Sequence, residues 1–295
     1  MCRSVALLAL LALTAPLPLA AEGIAPGAAL PAPTAESGKA DSSDAAALAT
    51  VLQLDPTFAL LAEEARPQAD ALEEQFFPGR GGAAWAAEVA ALYDPAVLRP
   101  RFDAAFAQAL AGQGDVIPAA LAFYGSDLGQ RILTQEIAAR RAMLDVAADE
   151  AAEVAAQDMR DARSPRLRLI RDLITAGDLL ESGVAGSLSA ELAFSDGMAA
   201  GSPAGVPPPR DERMRQVWAE EPSIRGEVGA WLVRFLVLAY TPLSDEELKR
   251  YLTFSETPEG RAVTAAINAA MTETMTPVSE AMGRLTARFA ISQQI

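Results

Sequence analysis

Few residues in this chain are able to carry chemistry, and their types narrow the choice further. Histidine is absent from all 295 residues, and the single cysteine is Cys2. Without imidazole there is no Ser-His-Asp or Cys-His nucleophilic site and no histidine general base; without further thiols there is no zinc–thiolate site and no disulfide. Lysine occurs only at Lys39 and Lys249. A Ser/Lys dyad would have to join Lys249 to Ser244, five residues upstream and poorly aligned with it on a helix, and the setting Glu-Glu-Leu-Lys-Arg reads as a solvated face. Carboxylates remain. Asp145, Asp149, Glu150 and Glu153 recur at three- and four-residue steps, which puts them on one side of a helix, where oxygen ligands for a divalent cation or an acid/base pair would sit. The commoner use of that spacing is a solvated face, with Arg140, Arg141 and the arginines between 160 and 171 as ion-pair partners.

A second set of residues bears on binding. Trp85, Phe123, Tyr124, Trp218 and Phe254, together with Gly129 and Gly260, are the candidate interface or pocket residues. Aromatic rings beside a glycine fill the crossing of two helices, or line an apolar ligand site. None of them is assigned a catalytic, cofactor-binding or metal-binding role, and no cofactor is expected.

The elements that would position these residues are helices. In Leu243–Val263, Ser244 caps a helix start and Glu247, three residues on, completes a capping box. Leu248 and Leu252 then share a face, until Thr257 and Pro258 restart the pattern as a cap followed by proline at the first helical position. Gly260, in the first turn of the new helix, lets the previous helix approach closely. The same pattern, Leu-x-Phe-x-x-[Ser/Thr]-x-x-Gly-x-x-[Ile/Val], fits both Leu121–Ile132 and Leu252–Val263. Trp85 and Glu88 are echoed by Trp218 and Glu221, Arg101-Phe102 by Arg234-Phe235, and Phe76–Gly79 by Phe194–Gly197, the last two segments each closing a helical stretch. Echoes in conserved order predict a duplicated unit.

Along the chain, residues 1–21 read as a signal peptide: Arg3, an apolar run from Val5 to Ala15, then Pro16, Pro18 and small residues. Residues 22–44, rich in Ala, Pro, Gly and Ser, read as a flexible leader. The first helical unit spans 45–163 and the second 164–295. Within them the spacing predicts a restart at Asp55-Pro56, a break or kink at Pro67, one long helix from the Gly129 hairpin to about Ala162, a loop over Met198–Arg210, and a kink or short break at Thr276-Pro277. Alternating strand patterns are nearly absent, so the fold class is all-α: two related helical-bundle units, each with a hairpin bearing a glycine at its crossing. No transmembrane span is expected once the signal is removed, because the apolar run of residues 231–240 is too short for one.

Formal charge is −15, and one unit more negative without Arg3. Such a charge repels nucleic acid and anionic bilayers, so neither is an expected partner.

The residues Tyr240–Leu248, Leu252-Thr-Phe254 and Thr257-Pro258-Glu-Gly260 resemble the pattern of the bacterial domain-of-unknown-function family 2059, clearly over 240–271 and more weakly over 116–143. Ser255 stands where that pattern has tyrosine, and Asp127 where it has proline. The resemblance implies an all-α exported protein and carries over no catalytic residue. The resulting expectation is a periplasmic or secreted interaction or scaffold module of the envelope. Its partner would be another envelope protein or an apolar ligand. The alternatives are a carrier of an apolar ligand between helices, and a carboxylate- or metal-dependent hydrolase.

Overall fold

The computed structural model describes residues 37–201 and 207–291, so the expected signal and most of the expected leader lie outside the described residues. Every regular element among these residues is an α-helix. The first seven are α1 (Ser37–Val51), α2 (Leu54–Phe76), α3 (Gly82–Leu92), α4 (Pro95–Leu110), α5 (Val116–Tyr124), α6 (Asp127–Ala142) and α7 (Val146–Asp161). After them come α8 (Pro165–Ala176), α9 (Leu179–Gly201), α10 (Arg210–Ala219), α11 (Glu221–Tyr240), α12 (Asp245–Ser255) and α13 (Pro258–Ile291). No single one of them is long and apolar enough to cross a membrane.

Local chemistry places most of the boundaries. Ser244 and Glu247 form the reciprocal capping box at the start of α12. Asp94 accepts from Ala96 N ahead of α4, with Pro95 at the first helical position, and Ser126 accepts from Gly129 N at the start of α6. Three expectations differ from the structure. The long helix ending near Ala162 is two helices, because Asp145 accepts from Ala147 N at 2.8 Å and caps a new one. Helix α1 opens at Ser37, inside the segment assigned to the leader, where Ala40 and Ala45–Ala47 favour helix. The 198–210 loop is shorter than expected, since α9 continues to Gly201. At Pro67 and Pro277, where a break or a kink is expected, the helix continues through the proline, so neither is a break. A proline inside a helix costs about 3 kcal/mol; around Pro277 the burial of Met275, Val278 and Met282 offsets it.

Helix order and core do not run in parallel. The largest core takes side chains from α1 to α5, among them Phe58, Phe77, Trp85, Phe102 and Phe106, and is completed by Val263, Ala270, Met275, Val278 and Met282 of α13. A second core joins α8, α11 and α12 to Leu128, Ile132, Ala139 and Ala156 of α6 and α7. A small third cluster sits under α10, on Val217, Ile224 and Val228. Each large core therefore takes its closing helix from the other half of the chain.

The two hairpins share their local geometry. Ser126 Oγ donates to Phe123 O at 2.6 Å and accepts from Gly129 N at 3.1 Å; Thr257 Oγ1 donates to Phe254 O at 2.7 Å and accepts from Gly260 N at 2.9 Å. A Cβ on Gly129 would lie 2.3 Å from Phe123 O, and one on Gly260 would lie 2.1 Å from Phe254 O. Upstream, α2 and α9 are both 23 residues long, and each follows a residue in the left-handed region: Gln53 at φ 54° and Asp178 at φ 51°. The Phe194–Gly197 echo differs, because it lies inside α9 and does not close it. There Gly197 meets α13 so closely that a Cβ would stand 2.0 Å from Glu280 O, with Gly283 of α13 in the reciprocal position 2.1 Å from Phe194 O.

Two outcomes follow from this packing. A protease site placed in the 162–164 turn and cut should leave both fragments in one particle on size-exclusion chromatography, and either fragment expressed alone should lack native near-ultraviolet circular dichroism; two independently folded fragments would contradict the shared cores. Gly260→Ala should lower unfolding free energy by about 1–3 kcal/mol, the usual cost of overpacking. Gly226→Ala, on an open face of α11 with nothing within 4 Å of the new Cβ, should raise it by up to ~1 kcal/mol, as seen by denaturant unfolding.

Candidate functional site

The two hairpins meet at a seam between the halves, where the most unusual side chains of the molecule converge. Phe123 from the end of α5 and Phe254 from the end of α12 stack face to face, ring centres 4.1 Å apart and planes 2° from parallel. Tyr124 stands edge-on to Phe254 at 5.5 Å, and Tyr251 stacks on Phe123 at 5.7 Å. Tyr240, the last residue of α11, closes the group with its ring 6.1 Å from that of Tyr251. The chain has four tyrosines, and three of them are here.

One acid faces them. Tyr240 donates its hydroxyl to Glu136 Oε1 at 2.7 Å, and the Tyr251 hydroxyl interacts with those of Tyr124 and Tyr240. Glu136 as a residue keeps some solvent contact, but its carboxyl group is enclosed. Burial pushes that carboxyl up to about 7, against the Tyr240 hydrogen bond and the charge of Arg140, which pull it down. Burial also raises Tyr124, Tyr240 and Tyr251 well above an ordinary phenol, with the Glu136 charge adding to it. One turn beyond Glu136, Arg140 makes a two-pronged pair with Glu64, at 3.1 and 2.6 Å, and Arg141 pairs with Glu63. On the other side, Arg131 donates to Glu247 at 2.7 Å; with the Ser244 contacts, this holds Glu247 down to about 2 and ties α6 to α12.

An acid that titrates near neutrality is what proton transfer requires. The surroundings favour another use. Tyr240 and Tyr124 keep 2% and 5% of their surface exposed, and the stacked phenylalanines pack beside them. Burial and the nearby Glu136 charge both favour the neutral phenols. The seam is a polar knot inside an apolar joint, fixing the register of the two hairpins through directional bonds.

The residues selected from sequence are distributed as follows. Phe123, Tyr124, Phe254, Gly129 and Gly260 come together at the seam. Trp85 is buried elsewhere: its indole N–H donates to Ala69 O at 3.2 Å, and its ring lies against Phe77 and Phe289. Trp218, its sequence echo, is 60% exposed on α10. The carboxylates of α7 do not form a centre. Asp145 is the helix cap; Asp149 and Glu153 accept from Arg234 of α11, and Glu153 also from Arg160. Among the described residues no cluster of three or more acids has the geometry to hold a metal ion. Lys249 pairs with Glu246, and Ser244 is occupied by its cap. Glu136, Tyr240 and Tyr251 escaped the sequence reading. The scarcity of tyrosine was a usable signal for two of them, whereas Glu136 has the sequence context of any helix-face acid.

Comparison with known families places residues 97–158 on the model of a family described as "Uncharacterized protein conserved in bacteria (DUF2059)". The match runs from the first turn of α4 through the Gly129 hairpin into α7. It thus falls on the hairpin expected to carry the weaker resemblance; residues 240–271, expected to carry the clearer copy, lie outside it, and that second copy is not matched. No curated protein and no solved structure matches the chain.

The titration of Glu136 has a definite sign. Its carboxyl is raised in the folded state, so folding retains a proton that the unfolded chain releases. The stability contributed by that proton is whole below about pH 4.5 and is lost as pH rises towards 7. Glu136→Gln, which keeps the neutral form at every pH, should match the wild type near pH 4.5 and exceed it above pH 7 by up to about 3 kcal/mol. Chemical denaturation across that range checks this, and equal slopes for the two proteins would contradict it.

Proposed function

We propose that this chain, with its DUF2059 segment, is an exported α-helical protein of the bacterial envelope that works by holding a partner in place and not by chemistry. Export rests on the charged and apolar pattern of residues 1–21. The observation that carries the non-catalytic part is the packed seam, where Phe123 lies on Phe254 at 4.1 Å with Tyr124, Tyr240 and Tyr251 around them. A carrier of apolar ligands would need its cavity beside those rings. A hydrolase would need acids from different helices to share one cleft, and the acids of α7 are paired with Arg234 and Arg160.

We also infer that the two halves descend from one copied unit. In support, the caps and glycines of the hairpins coincide, and left-handed residues precede both 23-residue helices. On this reading the copies exchanged their last helices, each completing the other's core as subunits do in a swapped dimer.

Native mass spectrometry of the chain isolated from the periplasmic fraction tests the proposal. The expected mass is that of the polypeptide cleaved near residue 21, with nothing bound. A retained lipid would favour the carrier, a retained metal the hydrolase, and absence from the exported fraction would remove the envelope assignment.

A further inference from the structure

Trp85 and Trp218 stand at echoing positions on α3 and α10, and the structure treats them oppositely. Over Trp85 lies the end of α13, with the Phe289 ring 5.4 Å from the indole. Trp218 is 60% exposed, and one turn away on the same face Met214 is 39% exposed. The segment that corresponds to the end of α13 in chain order is α7. It turns away after Ala142 and lies on α11, held by Arg234 on Asp149 and Glu153.

The outward face of α7 is also unpartnered. Leu144, Val146 and Val154 are 42%, 72% and 61% exposed, so α7 with its entry turn and α10 together carry five of the six exposed large apolar residues among the described ones. On α7, Val146, Glu150, Val154 and Asp158 follow at four-residue steps, so exposed valines alternate with acids along one stripe, with exposed Ala147 and Ala151 beside it. On α10 the exposed stripe is Met214, Arg215, Trp218 and Ala219, bulky and edged by a cation. Charge is complementary along the exposed stripes: Arg215, 73% exposed and 3.7 Å from Asp211 of its own helix, faces outward on α10, and Glu150 and Asp158 are exposed on α7, whereas Arg210 and Arg213 are already paired with Asp196 of α9. Within one chain α7 is tied to α11 by Arg234.

We propose that the Met214–Trp218 face of α10 docks the Val146–Asp158 face of α7 in a second copy of this chain. Made twice, α10 of each copy on α7 of the other, the contact closes a two-fold dimer and leaves neither face open. A single contact between helices of this length falls short of the roughly 1,200 Å² of a stable interface, and the reciprocal pair is what approaches it. The inference rests on the reading of the chain as an interaction module, for which it names a partner.

Sedimentation velocity of the full mature chain from about 1 to about 200 µM, a span that brackets a micromolar dissociation constant, tests it. The weight-average mass should rise towards twice the monomer. Trp218→Glu and Val154→Glu, on opposite faces, should each hold the protein monomeric throughout while far-ultraviolet circular dichroism stays native. An equimolar mixture of the two variants retains one intact contact and should associate more than either alone. A wild type monomeric at every concentration, or a dimer indifferent to either variant, would overturn the proposal. A monomer that emerges from the periplasm with nothing bound would leave the module reading intact while this one fails.

Discussion

Neither half of this protein can bury its own apolar surface. Val263, Met275 and Met282 of α13 sit in the core built by α1 to α5, and Leu128, Ile132 and Ala156 of α6 and α7 sit in the core built by α8, α11 and α12. Fully burying one such side chain contributes about 1.5–3 kcal/mol. Withdrawing a closing helix would expose several at once and exceed the margin of a typical domain. Packing across the halves ties the two stretches of chain together and brings their hairpins into contact at the seam.

The seam has to satisfy two demands. Stacked phenylalanine rings supply apolar contact, which carries little directional information. Glu136 and the tyrosine hydroxyls supply direction at an energetic cost: an enclosed carboxyl held near pH 7 is destabilising whenever it is ionised. Such a group is tolerated where a wrong register would be worse. Arg166 acts on the same joint from outside, donating to the carbonyls of Tyr240 and Leu243 and pairing with Asp245, so that the end of α11 and the start of α12 are pinned to α8.

What the sequence made legible was local. Ser244 with Glu247, Thr257 with Pro258, and Ser126 ahead of Gly129 announce helix starts through backbone chemistry that acts within four residues, and the structure has helices starting there. The all-α class follows from the same kind of information. Partner choice is not local. The stripe on α13 says that a face is buried without saying whose core receives it, and Trp85 and Trp218 are the same residue in similar settings with opposite burial. The break at Met143–Asp145 turned on one carboxylate acting as a cap, in a run of acids that also reads as an uninterrupted helix face.

That break, inside the first half, sets the course of α6 and α7 apart from that of α13, and charge favours it. Helix α13 continues along α9 because Gly197 and Gly283 let the two backbones approach, and the crossing stretch of α9 is mostly small or apolar. Helix α6 begins the corresponding path along α2, and Arg140 and Arg141 meet Glu64 and Glu63 there. Beyond that point α2 carries Asp70, Glu73 and Glu74, while the next residues to arrive would be Asp145, Asp149, Glu150 and Glu153. Like charges facing one another along two helices oppose straight continuation, and no glycine pair rewards it. The chain turns instead, Asp145 caps the new helix, and Arg234 of α11 receives two of the acids. Charge thus favours the turn that takes α7 onto α11, whereas α13 runs on to cover Trp85, and Trp218 stays exposed.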